Sequence, residues 1–225
     1  MLNIYEAAEK AQRDLNFALS QPKTANDFTP AYMKRVATIA RKTDYTEAQV
    51  MEAVIKSELL FRATILPEPG RQGVHEKALD AYIKSEVPLL TNSLMLPKSG
   101  PNARWFNSGQ IVASNPKNDT KSIDLQAEIV KNDEIIPVYG ICKYTKDGGG
   151  AQDNQHADVV STLKHCSKDQ KFLTIALLDG GYYLKPDKNG ISKHSAFETA
   201  YADYPNVMIT DYHQLNAKLT AWLSL

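Results

Sequence analysis

Two residues of opposite charge, Asp124 and Lys143, lie on adjacent sequence runs that are typical of β-strands. The run SIDLQAEIV carries Asp124 near its start, and EIIPVYGICKY carries Lys143 near its end. The KNDE turn between the runs predicts a hairpin, in which Asp124 and Lys143 lie within reach of one phosphate. A carboxylate can bind a divalent cation, and a lysine can contact phosphoryl oxygens or the attacking water. The pair therefore suits phosphodiester hydrolysis.

The residues that flank Lys143 extend this candidate site. Alternation along a strand puts Lys143 on the same face as Ile141, while the backbone carbonyl of Cys142 is available to a hard cation. A polar helix start follows, where Gln152, Asp153 and Gln155 and free backbone N–H groups can orient a phosphate. We interpret the glycine triplet before it, residues 148–150, as a strand-to-helix connector, because neither GxxxxGK[ST] nor GxGxxG is present.

The cysteines and nearby histidines suggest other chemistry only weakly. Cys142, His156, His165 and Cys166 match none of the usual spacings of zinc ligands. Cys142 stands among apolar strand residues, so we interpret it as a small core residue rather than a nucleophile.

The hydrophobic period divides the chain near residue 100 into a helical front and a mixed α/β back. The order that follows the front is helix, strand, strand, helix, strand, with a final strand and helix. We expect a helical region over residues 1–69 and a core over 70–225. The predicted helices cover about 2–19, 30–41, 46–62, 74–87, 151–166 and 211–223, and the predicted strands 122–130, 134–144, 172–180 and 206–210.

Composition limits the functional classes. The 225 residues are 43% hydrophobic and 23% charged, which is enough for one compact body with a helical extension. The net charge is zero, so bulk charge does not favour indiscriminate binding to nucleic acid or an anionic membrane. No apolar run is long enough to span a bilayer, and two cysteines without an apolar leader segment predict a reducing cytoplasm.

Asp124 on one strand, Lys143 on the next and the following helix resemble the catalytic core of the PD-(D/E)xK nucleases, particularly type II restriction endonucleases, over about residues 70–215. The resemblance implies an α/β (α+β) fold, with a central mixed β-sheet of the restriction-endonuclease-like type flanked by helices. In that family, magnesium is held by a first acid and by a second acid two residues before the lysine, and the residue between donates its carbonyl. By this resemblance, Asp124 is the first acid, Lys143 is the lysine, and Cys142 donates the carbonyl.

Position 141 holds isoleucine where the family has its second acid, so an acid must come from elsewhere. The resemblance favours Glu76, which we place in the first turn of the preceding helix, as a metal-binding and catalytic residue. Glu128 shares the strand face of Asp124 but lies about 13 Å along the strand, too far for one metal. We expect Asp153 and Gln155 to act as orienting groups.

DNA contacts are expected outside this core. The helices that begin near Pro30 and Thr46 could dock in a groove, and they offer Lys34, Arg35, Arg41 and Lys42; an ordinary solvated helix pair is the alternative. The loop from 98 to 121 could contact phosphates or bases through Arg104, Asn107, Lys117 and Lys121, or be an ordered surface loop.

The functional hypothesis is a magnesium-dependent type II restriction endonuclease that cuts double-stranded DNA at a short palindromic sequence as a homodimer. A cognate DNA methyltransferase in the same cell is the expected companion. Two alternatives stay open: a non-catalytic nucleic-acid-binding module on a degenerate nuclease scaffold, and a DNA-repair nuclease without sequence specificity.

Overall fold

The structure is a computed structural model that describes residues 3–65, 71–117, 120–146 and 150–225. The chain forms two compact units, Met1–Ala78 and Leu79–Leu225. The boundary between them lies within one long helix, after Ala78, whereas the boundary expected from the sequence, between residues 69 and 70, falls outside the described residues.

The first unit is helical. Helix caps decide where its elements begin: Thr29 accepts a hydrogen bond from the N–H of Tyr32, and Thr46 forms a capping box with Gln49. The predicted helix 46–62 is interrupted at Ser57, whose extended backbone ends one helix and caps the next. The elements are α1 Ile4–Ser20, a 3-10 turn Ala25–Asp27, α2 Pro30–Ala40, α3 Glu47–Lys56, α4 Glu58–Leu60 and a π-helical turn Phe61–Ile65.

The second unit is built on a mixed five-stranded sheet. Its strands, in sheet order, are β1 Thr91–Met95, β4 Leu125–Lys131, β5 Glu134–Tyr144, β6 Leu173–Asp179 and β7 Val207–Thr210. The first three pair antiparallel, and β5, β6 and β7 pair parallel. A separate hairpin joins β2 Trp105–Asn107 to β3 Gln110–Val112.

Helices flank this sheet, so the fold is α+β. Because β5 and β6 are parallel neighbours, the chain must return between them, and α6 Gly150–Leu163 makes that crossover. Val159 and Leu163 of α6 pack with Ile141 in one buried apolar cluster. The remaining helices are α5 Arg71–Glu86, α7 Gly181–Leu184, α8 Lys193–Ala200 and α9 Leu215–Leu223.

The predicted hairpin is confirmed, with Asn132 and Asp133 at positive φ in its turn, as tight hairpin turns require. The last helix begins at Leu215 rather than at residue 211, since Asp211 accepts the N–H of Gln214 and closes a turn before it. Three strands and two helices had no counterpart among the predicted elements: β1, β2, β3, α7 and α8. Within the described ranges, no helix is both long and apolar enough to span a bilayer.

Candidate functional site

Asp124 and Lys143 form an ion pair in the interior of the sheet's strand order, where β4 begins and β5 ends. Lys143 Nζ lies 3.0 Å from Asp124 Oδ2, and the backbone N–H of Cys142 donates to the same oxygen at 2.9 Å. The Asp124 side chain is only 9% exposed and that of Lys143 14%. No donor among the described residues reaches Oδ1 of Asp124, so one oxygen of a nearly buried carboxylate remains available to a ligand.

The hairpin register creates this contact. Leu125 pairs with Gly140, and the N–H of Asp124 donates to the carbonyl of Gly140 at 2.9 Å. Asp124 therefore continues β4 opposite Ile141, and opposite residues of an antiparallel pair share a face. Lys143 is two residues further along β5 and lies on that face too. The juxtaposition predicted from the sequence is present.

The charge state of Lys143 follows from its surroundings. Burial disfavours the ammonium, but the charge and hydrogen bond of Asp124 outweigh that effect, and the negative charge of Asp158 adds to them, so the pKa of Lys143 is raised. The side chain is consequently a cation at neutral pH. It can donate to a phosphoryl oxygen or to a water molecule, and it cannot act as a base.

Ile141, two residues before the lysine, is a core residue. Its side chain is 2% exposed and belongs to the cluster between the sheet and α6. Within residues 3–65, 71–117, 120–146 and 150–225, no three side chains of His, Cys, Asp or Glu are grouped so as to hold a metal ion.

The candidates for the second acid lie in different places. Glu76 is half-buried and lies five residues after the start of α5 at Arg71. The prediction that it stands in the first turn is therefore wrong. The side chain of Glu128 accepts from Asn92 Nδ2 at 2.5 Å, and that of Asp153 accepts from the hydroxyl of Tyr182 at 2.8 Å. Both carboxylates are thus engaged in hydrogen bonds of their own.

Gln155 is held at the end of β5. Its Oε1 accepts from the hydroxyl of Thr145 at 2.7 Å, and Thr145 is 5% exposed. This bond fixes the first turns of α6 against the strand that carries Lys143. The amide oxygen of Gln155 is thus used within the fold, and its expected role in orienting a phosphate stays a prediction. Of the glycine triplet, residues 148 and 149 lie outside the described residues, and Gly150 begins α6.

A groove of about 1190 Å³ opens between α6 and the segment that leads into β4. Asp158 and Ser122 lie in its wall. Ser122 stands two residues before Asp124, and the charge of Asp158 acts on Lys143, so the groove lies near the ion pair. The imidazole of His156 also lines it, and burial, aided by the charge of Lys193, lowers the pKa of that imidazole. Three exposed lysines line the groove as well: Lys98, Lys121 and Lys164.

The residues expected to contact DNA are distributed over both units. In the second, Lys121 lines the groove, Lys117 is exposed in the same loop, and Asn107 is half-buried on β2. Arg104 uses Nη1 to donate to the carbonyls of Pro101 and Ala103, which fixes part of its guanidinium locally. In the first unit, Lys34, Arg41 and Lys42 are exposed and Arg35 is half-buried, on or just after α2.

Magnesium would find only part of its coordination shell among the residues beside the ion pair. Mg²⁺ commonly binds one or two carboxylates and completes its octahedral shell with water and phosphate oxygens. Asp124 Oδ1 and the carbonyl of Cys142 would be the ligands that this chain supplies, and the dry, anionic carboxylate is a suitable donor. A DNA phosphate and water would occupy the remaining positions.

The two cysteines are free thiols, both half-buried. Cys142 is thus less buried than a core residue, contrary to the sequence-based interpretation. Burial raises the pKa of the Cys166 thiol to about 11, so it is protonated at neutral pH and a poor nucleophile.

Three residues of the site were not among the residues predicted to be functional: Asp158, Lys164 and Thr145. The helical spacing of Asp158, three residues after Gln155, was the available signal, since residues three apart share a helix face. Lys164 and Thr145 gave none, because their importance depends on how α6 lies along β5.

Comparisons with known proteins identify no family. No family model and no curated protein matches the chain. One solved structure is similar to it, that of protein VC1899 from Vibrio cholerae, at 12% identity and a TM-score of 0.33. The similarity covers 96% of this chain and 56% of the other, so this chain spans little more than half the length of that protein.

Proposed function

We propose that this protein is a magnesium-dependent deoxyribonuclease of the restriction-endonuclease-like fold, which hydrolyses phosphodiester bonds of double-stranded DNA. The observation that supports it best is the nearly buried Asp124–Lys143 ion pair beside a groove that carries three lysines. The carboxylate has one oxygen available to hold a metal ion. The fixed ammonium and the lysines of the groove can bind the phosphodiester and stabilise the charge that develops on it.

Each residue has a defined part in the proposed reaction. The Lys143 ammonium donates to a non-bridging oxygen of the scissile phosphate and stabilises the charge that develops there as water attacks and the 3′ oxygen leaves. The Cys142 N–H keeps Asp124 oriented, and Gln155 with Thr145 holds α6 against the strand end. Magnesium, when bound, would supply electrophilic activation and lower the pKa of the attacking water.

The finer proposal is a type II restriction enzyme that cuts a short palindrome as a homodimer in the cytoplasm, alongside a cognate methyltransferase. The two-fold symmetry of a palindrome matches a two-fold dimer, and both cysteines are free thiols, as a reducing compartment requires. Sedimentation equilibrium with and without a palindromic duplex tests the dimer. A monomer at all concentrations, with discrete cleavage products, would contradict it.

One observation favours a second candidate, a non-catalytic nucleic-acid-binding module. Ile141 is a core residue, and the described residues offer no group of three metal-ligating side chains. A protein that binds DNA through the lysine-lined groove, without hydrolysing it, would have the same features.

The deciding experiment incubates wild type and Lys143→Met with supercoiled plasmid and magnesium. We expect discrete linear products from wild type, and a loss of cleavage on the order of 100-fold or more in the variant, because the charge on the scissile phosphate is no longer neutralised. DNA affinity should change little. Smeared products would indicate a nuclease without sequence specificity, and intact plasmid with tight DNA binding would favour the module.

A matched control is Lys188→Met, which removes an exposed lysine from the loop between α7 and α8. It should cleave like wild type. Equal activity in Lys143→Met and wild type would overturn the assignment of Lys143.

A further inference from the structure

The ion pair offers one carboxylate to a cation, whereas magnesium sites use one or two, and α6 is the element that lies over it. The bond between Gln155 and Thr145 aligns α6 with β5, because it places Gln155 beside the residue that follows the strand. Since β5 and β6 are parallel, α6 runs opposite to β5 as it returns across the sheet. Residues later in α6 therefore lie level with residues earlier in β5.

By this alignment, Asp158 of α6 and Lys143 of β5 lie at similar positions along the strand direction. Asp158 is three residues after Gln155, which is about 4.5 Å along the helix axis and on the same side of it. Lys143 is two residues before Thr145, which is about 6.6 Å along the strand in the same direction. Asp124 lies on that sheet face as well, so this alignment places two carboxylates and an ammonium on one face near the end of β5, and the charge of Asp158 acts on Lys143.

The surroundings of Asp158 agree with this placement. Its carboxylate lines the groove, lies 3.4 Å from Lys121 Nζ, and is 32% exposed. Lys121 stands three residues before Asp124, and its N–H donates to the hydroxyl of Thr162 on α6. The segment that leads to Asp124 is therefore attached to the helix that carries Asp158.

We infer that Asp158 supplies the second carboxylate of the cation site, from α6, in place of the acid that position 141 lacks. The inference rests on the proposed nuclease function. In the free protein each carboxylate is neutralised by a lysine, Asp124 by Lys143 and Asp158 by Lys121. A divalent cation replaces Lys121 at Asp158, and Lys121 becomes available to a DNA phosphate.

The alternative is that Asp158 only holds Lys121 in place, and a set of variants separates the two roles. Asp158→Asn removes the charge and keeps the shape, Asp158→Glu keeps the charge, and Lys121→Gln removes the partner alone. Asp203→Asn is the control, because Asp203 pairs with Lys168 at 3.6 Å in a more exposed ion pair, and neither residue lines the groove.

Calcium binding is measured by isothermal titration on the full chain, bound to a phosphorothioate duplex, with plasmid cleavage in magnesium beside it. We expect Asp158→Asn to lose at least about tenfold in calcium affinity and to lose cleavage, while Asp158→Glu retains part of both. Lys121→Gln should keep calcium affinity and bind DNA less tightly. Asp203→Asn should match wild type.

Three results bear on the inference differently. Unchanged calcium affinity in Asp158→Asn, with active wild type, overturns it and leaves the nuclease function standing. An equal loss of calcium affinity in Lys121→Gln also overturns it, because the ion pair would then be the requirement. Wild type that neither binds calcium with DNA nor cuts plasmid overturns the proposed function itself. Circular dichroism verifies that each variant is folded, and Asp158→Glu provides the test if Asp158→Asn is not.

Discussion

At the scale of single residues, the site depends on a charged pair that is almost dry. Removing two charges from water costs several kcal/mol for each ion, and the attraction between Asp124 and Lys143 only offsets that cost. The pair is therefore a poor source of stability, and its position at the strand ends near a groove agrees with a functional use.

A double-mutant cycle measures the pair directly. Each of Asp124→Asn and Lys143→Met leaves one buried group without its charged partner, so we expect a loss of about 3–5 kcal/mol in the free energy of unfolding. The double variant should lose less than the sum of the two. Urea unfolding of the four proteins gives the coupling, and strictly additive losses would mean that the ion pair is absent in solution.

The same cycle has a predicted pH dependence. Because the folded-state pKa of Lys143 is raised, its stabilising effect is fully present below the ordinary lysine pKa of about 10.4, and is lost as pH rises through the higher folded value. The coupling should therefore be constant from neutral pH to about 9 and decline only above about 10.4. A decline near neutral pH would contradict a raised pKa.

At the scale of elements, the sequence predicts those helices, strands and turns that are determined by residues close together in the chain. The β4–β5 hairpin is local, since its turn and alternating pattern stand in one stretch, and it brings Asp124 to Lys143. Strand β1 could not be predicted, because TNSLM is mostly polar and pairs with β4 about 30 residues away, a contact visible only in the folded sheet. The position of Asp158 along β5 is likewise a tertiary feature, because it depends on the bond between Thr145 and Gln155.

The ends of β5 and β6 approach so closely that glycine is required. Gly180 has φ +90°, and a Cβ there would lie 2.2 Å from the carbonyl oxygen of Thr145. Gly190 has a similar φ of +79°, but a Cβ there would meet nothing within 4 Å. Both glycines have a positive φ, but only Gly180 also meets a close backbone contact, and its ψ of 167° lies in a region that is essentially restricted to glycine.

Alanine substitutions at these two glycines compare a positive φ in open space with a glycine-only conformation beside a backbone carbonyl. Gly190→Ala should lower the free energy of unfolding by about 1–2 kcal/mol, for the positive φ alone. Gly180→Ala should cost about 1–3 kcal/mol more, for the displaced strand end, and should also slow cleavage, because Thr145 holds α6 through Gln155. Equal urea midpoints for the two variants would show that the strand ends can move apart without cost.

At the scale of the whole molecule, charge is balanced overall and concentrated locally. The chain has 26 basic and 26 acidic residues, yet the groove beside the ion pair carries Lys98, Lys121 and Lys164 against Asp158. DNA binding should therefore be a property of this groove rather than of net charge.

The salt dependence of binding tests the groove. Each phosphate contact contributes about 0.9 to the slope of log affinity against log salt concentration. A variant in which Lys98, Lys121 and Lys164 are all glutamine should show a shallower slope, by up to about 2.7, and Lys188→Gln should leave the slope unchanged. An unchanged slope in the triple variant, with a reduced slope in Lys34→Gln/Lys42→Gln, would assign DNA binding to the helical unit instead.

The burial of Ile141 limits where a second acid could stand. An acid at that position would place a charge in the apolar cluster that joins the sheet to α6, which is costly unless the charge is paired. Ile141→Asp should therefore destabilise the sheet rather than add a metal ligand. The cation site proposed above, with an aspartate opposite residue 141 and an acid on the crossover helix, leaves that strand position to the core.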